Sequence, residues 1–289
     1  MTLLDGGMGE ELRRRSPVAD HPLWSAQALV EAPDIVRAVH RDFIDAGADV
    51  VTANTYAIVR RRLAAAGIEE QFADLNLTAA QLVREARDAA GRDVRIAGSL
   101  PPQYGSYRPD TIRPSAEIEP LYREQAEVLA PHVDLFICET MSSIAEARAA
   151  ASGAAATGKP VWVAWTLDDD TARLRSGETV EEAIAALDDL PIDAFLANCC
   201  APESIARAMP AFVRTAGDRP AGGYANGFAA IPADWTVETG VDRLGARADL
   251  DPAAYADHAA RWIAEGARIV GGCCRIGPDH IAALDALRR

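Results

Sequence analysis

Several things are missing from this chain of 289 residues. No apolar stretch approaches the roughly 20 residues that a membrane helix needs, so no membrane-spanning helix is expected. The opening, MTLLDGGMGE, has no basic start followed by an apolar run, and without a secretory signal the expected compartment is the cytoplasm. Positive charge is scarce. Lysine and arginine total 29 against 43 acidic residues, a formal net charge of −14. A nucleic-acid backbone would be repelled by most of such a surface, which excludes that class of partner. The basic cluster Arg60-Arg61-Arg62 reads as a solvated helix face. No linker, low-complexity tract or internal sequence repeat divides the chain, so residues 1–289 are expected to form one domain, and nothing in them opposes a homo-oligomer. An even cysteine framework is missing too. The five cysteines are Cys138, Cys199, Cys200, Cys273 and Cys274. Neighbouring cysteines bridge each other poorly, and a cytosolic chain points them to metal binding or catalysis instead.

What is present is a repeating alternation of elements. Short, nearly continuous apolar runs lie at Leu3–Leu4, Asp49–Ala53, Arg95–Ser99, Leu135–Glu139, Val161–Leu167, Phe195–Asn198, Ala221–Ala225 and Ile269–Gly272. Such runs suit strands buried on both faces, as in a covered parallel sheet. Alanine-rich segments of helical period follow them. Pro33–Ala46 carries Ile35, Val36, Val39 and Phe43 on one stripe, and Asp251-Pro252 and Gly277-Pro278 have the proline of a first helical turn. Eight strand-helix units predict an α/β fold, a (β/α)8 TIM barrel, with an open doubly wound sheet as the second choice.

In a barrel the working face is built from the loops after each strand. Those positions hold Asp5-Gly6-Gly7-Met8, Asn54-Thr55-Tyr56, Ser99, Glu139-Thr140, Thr166, Asn198-Cys199-Cys200, Tyr224-Ala225-Asn226 and Cys273-Cys274. Polar groups and thiols from distant sequence thus converge on one rim. A catalytic zinc keeps three protein ligands and one exchangeable position, and Cys199 lies too far from Cys273 in the chain for a zinc finger. Read from the residues alone, these cysteines fit either a metal site assembled by the fold or small buried side chains. Cys138, inside an apolar run, fits the second reading.

The run IVGGCCRIGPDHI resembles the double-cysteine signature of the homocysteine S-methyltransferase family. LLDGGMGEEL, DVVTANTY, IAGSLPPQYGSY, LFICETMSSIAEA, VWVAWTL with RSGETVEEAI, and ANCCAPESI resemble that family in the same order. The resemblance covers nearly the whole chain. It implies a Zn2+ site at Cys199, Cys273 and Cys274, with Asn198, which precedes the first ligand, counted among the substrate-binding residues. It also implies that Asp5 and Glu139 hold the amino group of homocysteine, in keeping with the need of an enclosed ammonium for negative partners. Backbone N–H groups of the Gly6-Gly7-Met8 turn are then suited to its carboxylate. The blander readings are a turn residue for Asp5 and a rim ion pair for Glu139.

The implied activity is zinc-dependent transfer of a methyl group from a small donor, S-methylmethionine preferred for so compact a chain, to homocysteine, giving methionine. An onium donor would favour aromatic faces, for which Tyr56, Tyr104, Trp165, Tyr224 and Trp235 are candidates near the rim, with ordinary packing as the blander reading. Two alternatives stand beside it: methylation of another small thiol, and a non-catalytic zinc or thiol-redox protein. The sequence departs from the family pattern at Cys200, at Arg275-Ile276-Gly277 and at Thr140-Met141-Ser142. Since side chains alternate along an extended segment, Cys199 and Cys200 are not expected to face the metal together.

Overall fold

The computed structural model describes residues 1–15, 23, 25–232, 235 and 244–288. Eight strands run in chain order: β1 (Thr2–Leu3), β2 (Val50–Thr52), β3 (Arg95–Leu100), β4 (Leu135–Met141), β5 (Val161–Trp165), β6 (Ile192–Asn198), β7 (Ala221–Ala225) and β8 (Ile269–Gly272). The helices among the described residues are α1 (Met8–Arg15), α2 (Ser25–Glu31), α3 (Pro33–Asp45), α4 (Arg60–Ala65), α5 (Phe72–Ala90), α6 (Ser115–Leu129), α7 (Ile144–Ala155), α8 (Val180–Ala185), α9 (Pro202–Ala216), α10 (Pro252–Ala264) and α11 (Pro278–Ala286). None is long and apolar enough to cross a membrane.

Every strand pairs in parallel with its neighbours, from β2 round through β8 to β1. A parallel bridge between Leu4 and Val50 joins β1 back to β2, supported by Asp5 N donating to Val50 O at 3.1 Å. The sheet therefore closes on itself as a (β/α)8 barrel, and the open-sheet alternative falls. The apolar runs predicted the strands well because parallel strands under helices are buried on both faces. β6 begins three residues earlier than its run suggested, since Asp193 interrupts the apolar pattern. That exposed aspartate accepts from Val161 N at 2.9 Å. The short helices α1, α2 and α4 carry too few turns to show a period, and the sequence did not reveal them.

The pleat sorts side chains into two layers. Leu135 and Ile137 of β4, Ala194 and Leu196 of β6, Trp162, Tyr224 and Ile269 fill the barrel interior. Phe136, Cys138, Phe195, Ala197 and Trp165 point outward into the larger layer beneath the helices. Helix starts are fixed locally. Ser143 caps α7, Asp251 caps α10 ahead of Pro252, and Thr179 and Glu182 form a reciprocal box at α8.

Candidate active site

The inward set of β4 continues from Leu135 and Ile137 to Glu139 at the carboxyl end of the barrel. Glu139 accepts hydrogen bonds from Ser99 Oγ on β3 and from Tyr224 OH on β7, the latter at 3.1 Å. Asp5 follows β1 and accepts from Thr52 N at 2.7 Å and Thr52 Oγ1 at 3.1 Å. Both carboxylates are buried, and among the described residues neither forms an ion pair with a cationic side chain. Burial pushes each up to about 7, and the hydrogen bonds only partly offset it. Two buried carboxylates with hydrogen-bond donors but no cation make a site that an ammonium would complete.

The three cysteines meet beside this pair. Cys273 Sγ lies 2.8 Å from Cys199 Sγ, while Cys274 Sγ is 3.8 Å from Cys199 and 4.0 Å from Cys273. They form a cluster able to hold a metal ion. A tetrahedral ion with bonds of about 2.3 Å to sulfur separates its ligands by about 3.8 Å, so two of the three edges already match. The sulfurs share charge unequally. Burial raises Cys199, but hydrogen bonds from Cys273, Cys274 and Tyr107 outweigh it and hold this thiol well below its usual range. Cys273 and Cys274 are pushed up, chiefly because their protons are engaged by Cys199.

The backbone explains how Cys199 reaches the cluster. By alternation from Ala194, Leu196 and Asn198, the next inward position after Asn198 would be Cys200. Cys199 instead takes a left-handed conformation at φ 52°, which breaks the pleat. Cys200 then falls into the outer apolar layer, fully buried, with its thiol pushed up by burial. Thr140 (φ 62°), Tyr107 (φ 64°) and Arg275 (φ 67°) share this uncommon conformation. Non-glycine residues of this kind collect at functional sites, where the surrounding structure holds the strain.

Asn198 stands directly before Cys199, but its side chain does not face open space. Its Oδ1 accepts from Thr140 N at 2.8 Å and its Nδ2 donates to Thr140 Oγ1 at 2.9 Å. The amide thus fixes the left-handed turn after Glu139. Gly6 and Gly7 allow the β1 loop to lie against the cysteine loop. A Cβ on Gly7 would sit 2.6 Å from Cys273 O, and Gly7 N–H is spent on Ile276 O at 2.8 Å. That donor is therefore engaged within the protein rather than turned toward a ligand.

Of the aromatic candidates, Trp235 lies at the rim, edge-on to Tyr107 at 5.3 Å between centroids. Tyr224 serves Glu139, and Tyr56 OH is 2.7 Å from Ser106 Oγ. Trp165 is not at the rim. Its position in β5 points outward, stacked on Phe195 at 5.8 Å. The aromatic that sequence reading missed is Tyr107, whose hydroxyl lies 2.9 Å from Cys199 Sγ. It stands in the loop after β3, where no periodicity marks it; the tight Gly105-Ser106 turn before it was the available signal.

The fold and this geometry agree with the comparisons. A family model described as homocysteine S-methyltransferase matches residues 2–287. The chain is 31% identical to the homocysteine S-methyltransferase of Escherichia coli (strain K12), across 98% of this chain and 94% of that one. It is 27% identical to a selenocysteine methyltransferase of Astragalus bisulcatus, across 98% of this chain and 90% of that one. Among solved structures, the metallated form of the Escherichia coli homocysteine methyltransferase superimposes with a TM-score of 0.83 at 30% identity, covering 99% of this chain and 96% of that one. Its oxidised form gives 0.84 at the same identity and coverage.

Proposed function

The chain belongs to the homocysteine S-methyltransferase family, and on that premise we propose that it transfers a methyl group from a small onium donor, S-methylmethionine by preference, to the thiol of homocysteine. The observation that carries the reading is the juxtaposition of a three-thiol cluster with a buried pair of carboxylates that have no cationic partner among the described residues. One site suits a thiol, and the other suits the ammonium of the same amino acid.

The donor set fits Zn2+, since three soft sulfur ligands leave one position for an exchangeable fourth. Held by Cys199, Cys273 and Cys274, zinc supplies the acidity that keeps an added thiol deprotonated at neutral pH. The remaining work falls to the chain. Asp5 and Glu139 bind the homocysteine ammonium and so aim its sulfur at the cluster. Thr52, Ser99 and Tyr224 hold those carboxylates in place. Tyr107 OH bonds Cys199 Sγ and spreads its charge. The homocysteine sulfur then forms a bond to the donor methyl carbon as the donor's sulfur–methyl bond breaks. The electron pair stays on the departing thioether, and the thiol proton has already left to solvent. Two methionines result. The protein is read as a cytoplasmic enzyme.

A second reading keeps the chemistry and changes the acceptor. A relative named for selenocysteine favours a small selenol or another thiol at the same position. The test is methyl transfer by zinc-loaded protein from S-methylmethionine to homocysteine, with selenocysteine and cysteine as competitors. Methionine formation with homocysteine preferred supports the first reading. Preference for a competitor moves the assignment to the second. No transfer to any of the three overturns both.

A further inference from the structure

Three charged side chains stand near the thiol cluster, and each holds a buried polar atom with no hydrogen-bond partner: Glu10 Oε1, Arg175 Nη2 and Arg275 Nε. Arg175 comes from the loop after β5. Its Nε donates to Thr166 Oγ1 at 3.2 Å, and that hydroxyl donates to the carbonyl of Cys199 at 3.3 Å. Its guanidinium lies 5.0 Å from the centroid of Tyr107, the ring whose hydroxyl touches Cys199. Arg275 directly follows Cys274. Its guanidinium lies 5.5 Å from the centroid of Phe228, which packs with Trp235, Leu244 and Cys274. Glu10 reaches over from α1.

These groups are near one another's charges but do not consume one another's donors. Arg275 Nη1 is 3.8 Å from Glu10 Oε2, Arg13 Nη1 is 3.5 Å from Glu10 Oε1, and Arg175 Nη2 is 3.5 Å from Asp169 Oδ2, all ion pairs longer than an ordinary hydrogen bond. Leaving such atoms unsatisfied is costly, and the cost disappears when a ligand supplies the partners. The faces of Tyr107 and Phe228 are already met by arginines, so these rings do not form an open cage for an onium charge. The complement of two guanidinium donors and one carboxylate acceptor is a zwitterion.

We propose that Arg175, Arg275 and Glu10 form a cradle for the α-amino-acid head of the methyl donor, the arginines taking its carboxylate and Glu10 its ammonium. The proposal rests on the methyl-transfer reading for the word donor, but the cradle itself is a binding site that can be measured without turnover. It separates donor classes by chemistry. S-methylmethionine carries both halves of the head. Betaine carries a carboxylate, but its quaternary nitrogen has no N–H to offer Glu10. Trimethylsulfonium carries neither.

The experiment is calorimetric titration of zinc-loaded protein with S-methylmethionine, trimethylsulfonium and homocysteine separately, in wild type and in Glu10→Gln, Arg175→Gln and Asp5→Asn. The two cradle variants lie on different elements, α1 and the loop after β5, so misfolding of one does not remove the test. The cradle predicts a crossed pattern. S-methylmethionine Kd rises about tenfold in Glu10→Gln and Arg175→Gln, the loss of one charged hydrogen bond, and holds in Asp5→Asn. Homocysteine Kd behaves in the opposite way. Wild type binds S-methylmethionine at least tenfold more tightly than trimethylsulfonium. Equal binding of the two onium ions, no measurable binding of S-methylmethionine, or a rise in its Kd only in Asp5→Asn overturns the proposal. A crossed pattern without methyl transfer in the separate turnover assay would leave the cradle standing and sink the functional reading.

Discussion

The two ends of the barrel use the same chemical group in opposite ways. At the amino end, Asp49, Asp134 and Asp193 each accept from a neighbouring backbone N–H: Leu3 at 2.8 Å, Ile96 at 2.7 Å and Val161 at 2.9 Å. Their side chains meet water, and Asp49 also meets Arg288 at 2.8 Å. At the carboxyl end, Asp5 and Glu139 are buried, Asp5 feels the charge of Glu139, and among the described residues neither has a cationic partner. The first set fastens strand to strand and is complete. The second is stabilised only in part by its surroundings, and the left-handed Tyr107, Thr140, Cys199 and Arg275 add strain at the same end. In barrels of this kind, stability and chemistry divide between the two faces, and here the division can be read from which carboxylates have partners.

The largest expected effect lies in the thiol cluster. Cys273→Ser removes one soft ligand from three, and methyl transfer should fall by at least about a thousandfold together with bound zinc. Cys200→Ser, one residue from Cys199 but in the outer layer, should keep its zinc. Zinc per chain and turnover, measured for both, test the comparison at its sharpest point. Retained zinc in the first variant would remove the cluster from the proposed chemistry.

Next come the carboxylates. Asp5→Asn and Glu139→Gln should each raise the homocysteine KM by about 10- to 100-fold, the range for a charge-assisted hydrogen bond. The pH dependence has a defined sign. An ammonium needs both groups ionised, so homocysteine affinity is full above about pH 7 and weakens as pH falls through that value. In the ligand-free protein the direction reverses. Carboxyls raised to about 7 favour the folded, protonated form, so their contribution is present at low pH and is lost as pH rises through 7. Affinity and ligand-free unfolding midpoint should therefore move oppositely between the ordinary values of 3.8 and 4.5 and the raised values of about 7, and both should level off above that. Parallel movement would show that other groups control both.

Tyr107→Phe removes one hydroxyl and keeps the ring against Trp235 and under Arg175. Outer partners of metal ligands typically account for about 10- to 100-fold in affinity, and the lower figure is expected here. Competition with a chromophoric chelator reads zinc affinity apart from turnover. An unchanged affinity would make the 2.9 Å contact with Cys199 a matter of packing.

Much of this was legible in the sequence. Strands buried on both faces leave continuous apolar runs, so β2 to β8 could be placed, and the ends of those runs brought Asp5, Glu139, Cys199, Cys273 and Cys274 to one rim. What the sequence withheld depends on single dihedral angles and on loops. Simple alternation would have sent Cys200 inward, and only the left-handed turn at Cys199 reverses it. The resemblance of the motif selected the member of the pair that lies in the thiol cluster, where the pleat argument could not. Gly6 and Gly7 were read as an anion nest, yet Gly7 is glycine because the cysteine loop lies against it. Asn198, read as a substrate contact, turns its amide on Thr140. Trp165 was expected near the rim, but its place in the pleat points it outward under the helices. Tyr107 and Arg175 sit in loops without periodicity, and only the closed barrel shows that they meet beside Cys199.

The smallest effect tests the other end. Asp134→Ala takes the acceptor from Ile96 N–H, but the aspartate is 44% exposed, so water can replace part of the bond. The expected cost is about 1 kcal/mol of stability, read as a lower urea midpoint at unchanged slope. Homocysteine and donor KM should stay at wild-type values, because β3 and β4 remain paired up to Leu100 and Cys138, just before Glu139. A comparable loss of stability in Asp5→Asn would erase the contrast between the ends. Removal of charge from a buried carboxyl without a cation should instead leave the ligand-free protein as stable as before, or more so above pH 7, since the amide keeps the Thr52 N–H acceptor and has no charge to desolvate.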